Sequence, residues 1–218
     1  MIILLHWDNI TFSWKVVINM GFDLYGIKPK IKKGSVKPAD VDFQKSSDAE
    51  LKKWRTLHIK YQNDNVGIYF RNNVWWWRPL ADLVIKLCKL LDEKQKEHLH
   101  DNGGYEYNEA TANYIADTLE AFVKSPVAKR TEIAHKKQMK KADAHNKKVQ
   151  IKLDALRVDA IAKTGNKNIA PRDYPKDLND KWESIYRERD HTDSYPFALK
   201  NVKEFIQFLR QCGGFTVC

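Results

Sequence analysis

The stretch that decides the fold is YFRNNVWWWRPL at residues 69–80, which holds three of the chain's seven tryptophans. The three are consecutive and lie between two arginines. Successive residues of a strand point to opposite faces of a sheet. If residues 74–77 are extended, Trp75 and Trp77 therefore share one face and Trp76 takes the other.

A helix is predicted directly after this stretch. Pro79 fits the first turn of a helix, where its missing N–H costs nothing. Beyond it, apolar residues recur at spacings of three and four and form one helical face: Leu80, Leu83, Val84, Leu87, Leu90 and Leu91. The segment is thus predicted to be a strand or turn followed by a helix, with aromatic rings at the junction.

Two interpretations suit the tryptophan segment, defined as Arg71, Trp75, Trp76, Trp77 and Arg78. In the first, the rings are a structural anchor that joins the helix to the rest of the domain. In the second, all five residues form a partner-binding surface, because Trp and Arg are enriched at interface hot spots and aromatic rings can stack on bases. The pattern favours the structural interpretation.

Composition bounds the class of protein. The 218 residues suit one domain, and 43% hydrophobic residues suffice for a core, so a disordered chain is excluded. A net charge of +10 favours an acidic partner such as nucleic acid. No apolar run reaches the roughly 18–20 residues of a membrane span, so no membrane partner is expected.

The N-terminal residues 1–19 allow two interpretations. They are apolar and aromatic, and they form either a strand pair that turns near Asp8 and Asn9 or an extension upstream of a true start at Met20. Residues 20–218 are predicted to be a single α+β domain with a basic helical elaboration at about 124–163.

The domain is predicted to be mainly helical with a few short strands. Strands are expected at 22–25 and, as a strand or tail, at 215–218. Helices are expected at 48–57 after a Ser47 or Asp48 cap, at 109–124 after an Asn108 cap, at 127–163 with Pro126 at its first position, at 182–189 and at 198–212. The helices 109–124 and 127–163 are predicted to form a hairpin, and the last helix to close the core against the tryptophan segment.

The long helix carries a heptad-like seam of residues spaced alternately by three and four: Met139, Ala142, Asn146, Val149, Leu153, Leu156 and Ala160. Such a seam needs a second helix, either from this chain or from a second copy. An oligomer through 139–160 is therefore one prediction.

The same helix holds most of the positive charge. Between Lys124 and Lys152 there are ten Lys or Arg residues and two acidic residues. The pattern suits either a solvated face or a nucleic-acid-binding surface built from Lys136, Lys137, Lys140, Lys141, Lys147 and Lys148. Lysines without aromatic neighbours favour phosphate contacts over base recognition.

Three stretches resemble a group of uncharacterised phage and bacterial proteins: MGFDLYG at 20–26, YFRNNVWWWRPL at 69–80 and NVKEFIQFLRQCGGFTVC at 201–218. The group has no established activity, so the resemblance implies a source class and a start at Met20 but no mechanism. Its members often carry paired cysteines like those of a zinc ribbon, whereas here a lysine-rich helix stands in that place.

No catalytic or phosphate-loop motif is present, so no catalytic residue and no cofactor is predicted. Cys88, Cys212 and Cys218 are odd in number and widely spaced, which excludes a disulfide framework and favours the cytoplasm. They would bind zinc only if they converged with a histidine, and buried apolar thiols are the favoured interpretation. His98 and His100 are expected on the surface.

Three hypotheses for function follow from these patterns. The first is an intracellular, phage-type interaction protein without catalysis, whose partner is a host protein or a second copy of itself. The alternative is a nucleic-acid-associated protein that uses the lysine-rich helix 124–152. The third, an enzyme, requires a concave site that no local motif reveals.

Overall fold

The computed structural model describes residues 21–218, so both predictions for residues 1–19 lie outside the described part. In chain order the elements are β1 (Gly21–Gly26), α1 (Asp48–Asp64), β2 (Tyr69–Asn73), α2 (Val74–Leu87), α3 (Glu93–His98), β3 (Tyr105–Tyr107), α4 (Glu109–Lys124), α5 (Pro126–Thr164), α6 (Lys176–Tyr186), α7 (Leu199–Gln211) and β4 (Phe215–Val217). Short 3-10 turns lie at Pro171–Asp173 and His191–Ser194. The fold is α+β and mainly helical, as predicted.

The described residues form two compact units. The first contains residues 21–129 and 198–218, and the second contains residues 130–197. The second unit stands where a basic elaboration at about 124–163 was predicted, and it extends further because residues 165–197 fold back onto α5. None of the helices in the described part is long and apolar enough to cross a bilayer.

The first unit is built on an antiparallel sheet with the strand order β2-β1-β4-β3. Leu24 of β1 lies opposite Phe70 on one side and Val217 on the other, so all three point to the same face. The stretches singled out at 20–26, 69–80 and 201–218 thus supply three adjacent strands. The strands at 22–25 and 215–218 are confirmed, whereas β3 was not predicted because three residues show no periodicity.

Helices α2, α4 and α7 bury their apolar faces in this unit. The ring of Phe205 in α7 lies 5.2 Å from that of Phe70 and 5.5 Å from that of Trp77, centroid to centroid. The predicted closure of the core by the last helix against the tryptophan segment is therefore confirmed. Arg210 adds a polar link between α7 and α4, since its Nε donates to Glu120 at 3.0 Å.

Residues 74–77, which hold the three tryptophans, are helical, which corrects the prediction of a strand or turn there, while Arg71 lies in β2. The Asn73 side chain accepts a hydrogen bond from the Trp76 N–H at 3.0 Å and caps α2, which begins at Val74. The three tryptophans therefore follow one another around a helical turn and do not alternate between two faces. Pro79 is the sixth residue of this helix and not part of its first turn, so it removes one helical hydrogen bond.

Two other helices have boundaries that differ from the prediction. Ser47 caps α1 as predicted, but α1 runs to Asp64 and not only to residue 57. Because α1 buries none of its residues, no apolar pattern marks its polar last turns. Helix α6 begins after Pro175, earlier than the predicted residue 182. The predicted Asn108 cap of α4 is confirmed.

The second unit covers the seam of α5 with residues of the same chain. Leu156 and Ala160 share a buried cluster with Ile169, Tyr174 and Leu178. Of the seven seam residues, six are buried and Met139 is partly buried. The partner of the seam is thus the returning segment 169–193, which is the intramolecular one of the two predicted alternatives.

Candidate functional site

The lysine face consists of the six lysines predicted to bind nucleic acid, and every one of them is exposed. At about 100° of rotation per residue, the six side chains lie within an arc of about 140° on α5. They occupy three neighbouring pairs, which extend over about 18 Å of the helix axis. The structure therefore gathers all six residues onto one surface.

The seam of α5 determines which side of the helix the lysine face occupies. The buried seam residues centre on a direction about 170° from the middle of the lysine arc. Asn146, in the seam, donates to the backbone carbonyl of Asp190 and to Oδ2 of Asp193, each at 2.7 Å. Its Oδ1 accepts from the backbone N–H of Asp190 at 2.9 Å. These bonds hold the seam of α5 against residues 190–193 and leave the lysines on the solvent side.

Four of the six ammonium groups keep their charge uncompensated. Lys136 lies 3.7 Å from Glu132 and Lys147 lies 2.8 Å from Asp143, each a neighbour one turn away. The other four have no carboxylate within ion-pair distance among residues 21–218. Exposed pairs of this kind are weak and are screened by salt, so an anion can compete for the paired lysines too.

The positive charge of the second unit is concentrated in one region. Residues 130–152 hold eight basic and two acidic residues, whereas residues 153–197 hold eight basic and nine acidic residues. A charge separation of this kind orients and attracts a polyanion over longer distances than the contacts themselves.

The two histidines of the lysine-rich segment have structural roles. Nε2 of His135 lies 2.6 Å from the carbonyl oxygen of Tyr195, and Nε2 of His145 lies 2.7 Å from that of Glu188. A carbonyl only accepts hydrogen bonds, so each Nε2 carries the proton and donates it. Both side chains tie α5 to the returning segment.

The tryptophan segment is divided between core and surface. Trp77 is 0% exposed and its Nε1 donates to the carbonyl of Leu99 at 2.6 Å, so it belongs to the core. Trp75 is 41% exposed and Trp76 is partly buried. Arg71 and Arg78 are exposed as well. A partner at this segment would therefore meet Trp75 and the two arginines, and Trp77 is removed from the predicted surface.

The cysteines do not assemble into a metal site in the described part of the chain. Cys88 and Cys212 are 0% exposed, and burial raises the pKa of each thiol to about 11. Both thiols are therefore protonated at neutral pH, and Cys218 is exposed. Within residues 21–218 no group of three or more His, Cys, Asp or Glu side chains is placed to hold a metal ion.

A second lysine cluster was missed from the sequence. Lys32, Lys33, Lys37 and Lys60 line an open cavity of about 560 Å³ beside α1. The loop is held by buried Asn65, whose Oδ1 accepts from the backbone N–H of Lys32 at 2.7 Å. The signal was present in the composition, since five lysines and no acidic residue lie between residues 24 and 39.

The chain was also compared with known proteins. No protein-family model matches it, and neither does any curated protein or solved structure.

Proposed function

We propose that this protein binds nucleic acid through backbone phosphates, using the lysine face of α5. The observation that supports the proposal is that all six lysines are exposed on one arc of the helix, opposite its buried seam. Neutralising phosphates with such an array releases condensed counterions, which is the main source of non-specific affinity.

The chemistry of the face favours phosphate contacts without base recognition. Between Lys136 and Lys148 the helix has no Phe, Tyr or Trp and no Arg. Lysine is a compact point charge that suits phosphate, while arginine is the usual reader of guanine in the major groove. The three cysteines, odd in number and widely spaced, suit the reducing cytoplasm as the site of action for this binding.

The test is fluorescence anisotropy of a labelled DNA duplex, titrated with the protein at salt concentrations from about 50 to 200 mM. If all six lysines contact phosphates, the slope of log K against log salt is about −5. The variant with all six lysines changed to Gln should lose most of the affinity and most of this slope.

A matched control separates the lysine face from total charge. It changes six other exposed lysines to Gln, spread over different elements: Lys53, Lys86, Lys89, Lys167, Lys181 and Lys203. Both variants lose six charges, and only the first should abolish binding. Equal losses in the two variants, or no binding at low salt, would overturn the proposal.

A protein partner at the tryptophan segment is the second candidate, in keeping with the phage-type interaction hypothesis. It is supported by the exposure of Trp75 and of Arg78, which lies about one turn further along α2. This candidate predicts a complex that survives high salt and is lost in Trp75→Ser, whereas binding through the lysine face is lost in high salt and keeps its strength in Trp75→Ser.

A further inference from the structure

The second unit contains a cavity of about 280 Å³ between α5 and the returning segment. Its lining combines three aromatic rings, two arginines and a polar pair on α5: Tyr174, Trp182, Tyr186, Arg157, Arg189, Gln150 and Asp154. Ligand cavities in proteins usually run from about 300 to 1,000 Å³. This one is slightly smaller than that range and suits a single planar group, not an extended ligand.

Planar groups are already stacked along one side of the cavity. The rings of Trp182 and Tyr186, one turn apart on α6, lie 4.7 Å apart with an interplanar angle of 15°. The guanidinium carbon of Arg189 lies 5.4 Å from the centre of the Tyr186 ring. Flat surfaces of this kind suit a flat heteroaromatic ligand, because stacking on Trp, Tyr and Arg is the usual way that proteins hold an unpaired base.

Polar groups of the cavity offer both donors and acceptors. Gln150 accepts a hydrogen bond from Nη2 of Arg189 and donates to Oδ1 of Asp154 at 2.8 Å. Nε of Arg189 is buried and finds no acceptor among residues 21–218. That buried atom does not face the cavity; the groups that a ligand would meet include the guanidinium of Arg157, which donates, and the carboxylate of Asp154, which accepts.

The cavity adjoins one edge of the lysine face, since its residues on α5 lie between that edge and the seam and Asp154 is the one nearest the lysines. Asp154 follows Lys147 by seven residues, which places it about 10 Å further along the axis and about 20° away around it. Gln150 lies between them in sequence. A strand whose phosphates follow Lys136, Lys140 and Lys147 would therefore bring its next nucleotides to the mouth of the cavity.

We infer that the cavity receives one unstacked base of a single-stranded nucleic acid whose backbone lies along the lysine face. The inference rests on the proposed function and adds a preference for single strands over duplexes. A base in a duplex is paired and stacked, so it cannot enter the cavity unless its pairing and stacking are first broken.

The experiment compares labelled single-stranded and duplex DNA of equal length in the same anisotropy titration. Tyr186→Ala removes an exposed ring that packs on the surface of α6, and Tyr25→Ala is its control at an exposed tyrosine of the first unit. Tyr186→Ala should weaken single-strand binding about tenfold, the effect of losing one base stack, and change duplex binding less than twofold. Arg189→Gln should act in the same direction, and circular dichroism verifies that each variant is folded.

The outcomes separate this inference from the proposed function. Duplex binding that depends on the six lysines, with no single-strand preference and no effect of Tyr186→Ala, would overturn the inference and keep the proposed function. If the wild-type protein bound neither duplex nor single-stranded DNA, both the inference and the proposed function would be overturned. A further titration uses free adenosine monophosphate. If adenosine monophosphate binds to the wild type and not to Tyr186→Ala, while the two proteins bind oligonucleotides equally well, the occupant is a free nucleotide and the single-strand assignment is wrong.

Discussion

Trp75 and Trp77 are two positions apart, yet they have different environments because α2 turns by about 200° between them. Trp77 stacks on Phe22 of β1 at 5.5 Å and meets Phe205 of α7 edge-on at 5.5 Å. Its indole N–H is satisfied by Leu99. Trp75 has no comparable burial, with 41% of its surface exposed. One tryptophan of the run therefore holds the core together and another faces outward.

Trp77→Ala should lower the free energy of unfolding by about 3–5 kcal/mol, since it leaves a large cavity and an unpaired Leu99 carbonyl. Trp75→Ala is the control and should change it by less than about 1 kcal/mol. Urea unfolding followed by circular dichroism measures both. Equal destabilisation by the two substitutions would contradict the assignment of Trp77 to the core.

Helix α5 shows how one element can have a structural and a functional side. Its seam is closed by the returning segment, and its only polar member, Asn146, makes three hydrogen bonds to residues 190–193. A single buried polar residue in a heptad seam commonly selects one arrangement of partners. Here it selects the 190–193 turn of the same chain, which leaves the lysines opposite available to an outside partner.

Asn146→Leu should destabilise the second unit by about 2–3 kcal/mol. The leucine fills the space, but it leaves the N–H and C=O of Asp190 without their partners. Urea unfolding and faster hydrogen exchange at the Asp190 amide provide the two measurements. Gln138→Leu, an exposed amide on the same helix, should have an effect within about 0.5 kcal/mol, and a similar loss in both variants would contradict the role of Asn146.

At the scale of the molecule, segments that are distant in sequence approach so closely at Gly26 and Gly67 that a side chain would not fit there. A Cβ on Gly67 would lie 2.2 Å from the carbonyl oxygen of Gln211, and one on Gly26 would lie 2.1 Å from that of Gly67. The end of β1, the turn before β2 and the end of α7 are thus in backbone contact. The glycines are required by this close approach, which joins residues more than 140 positions apart in the sequence.

Gly67→Ala should cost at least about 2–3 kcal/mol of unfolding free energy, because the backbone of α7 must move to admit the methyl group. Gly21→Ala is the matched control: its added Cβ makes only ordinary contacts, the nearest at 3.5 Å, so it should be neutral or slightly stabilising. Urea unfolding of the full chain measures both. A neutral Gly67→Ala would show that these segments do not approach as closely as described.

The local pattern of the sequence determined most of the helices and the identity of the lysine face. Caps such as Ser47 and Asn108 and the periodicity of 127–163 and 198–212 depend on neighbours three or four residues away, so they can be read directly from the chain. The six lysines could also be placed on one face, because a continuous helix fixes the angle between its own residues.

Only the tertiary structure decided which tryptophan is buried, what covers the seam and which residues line the cavity. Helix α2 begins after Asn73 and not at Pro79, because the Asn73 side chain caps the backbone of the first turn. Trp182 follows Arg157 by 25 residues in the sequence, and the two line the same cavity because residues 165–197 return along α5. Contacts between such distant segments depend on packing, and no periodicity within either segment encodes them.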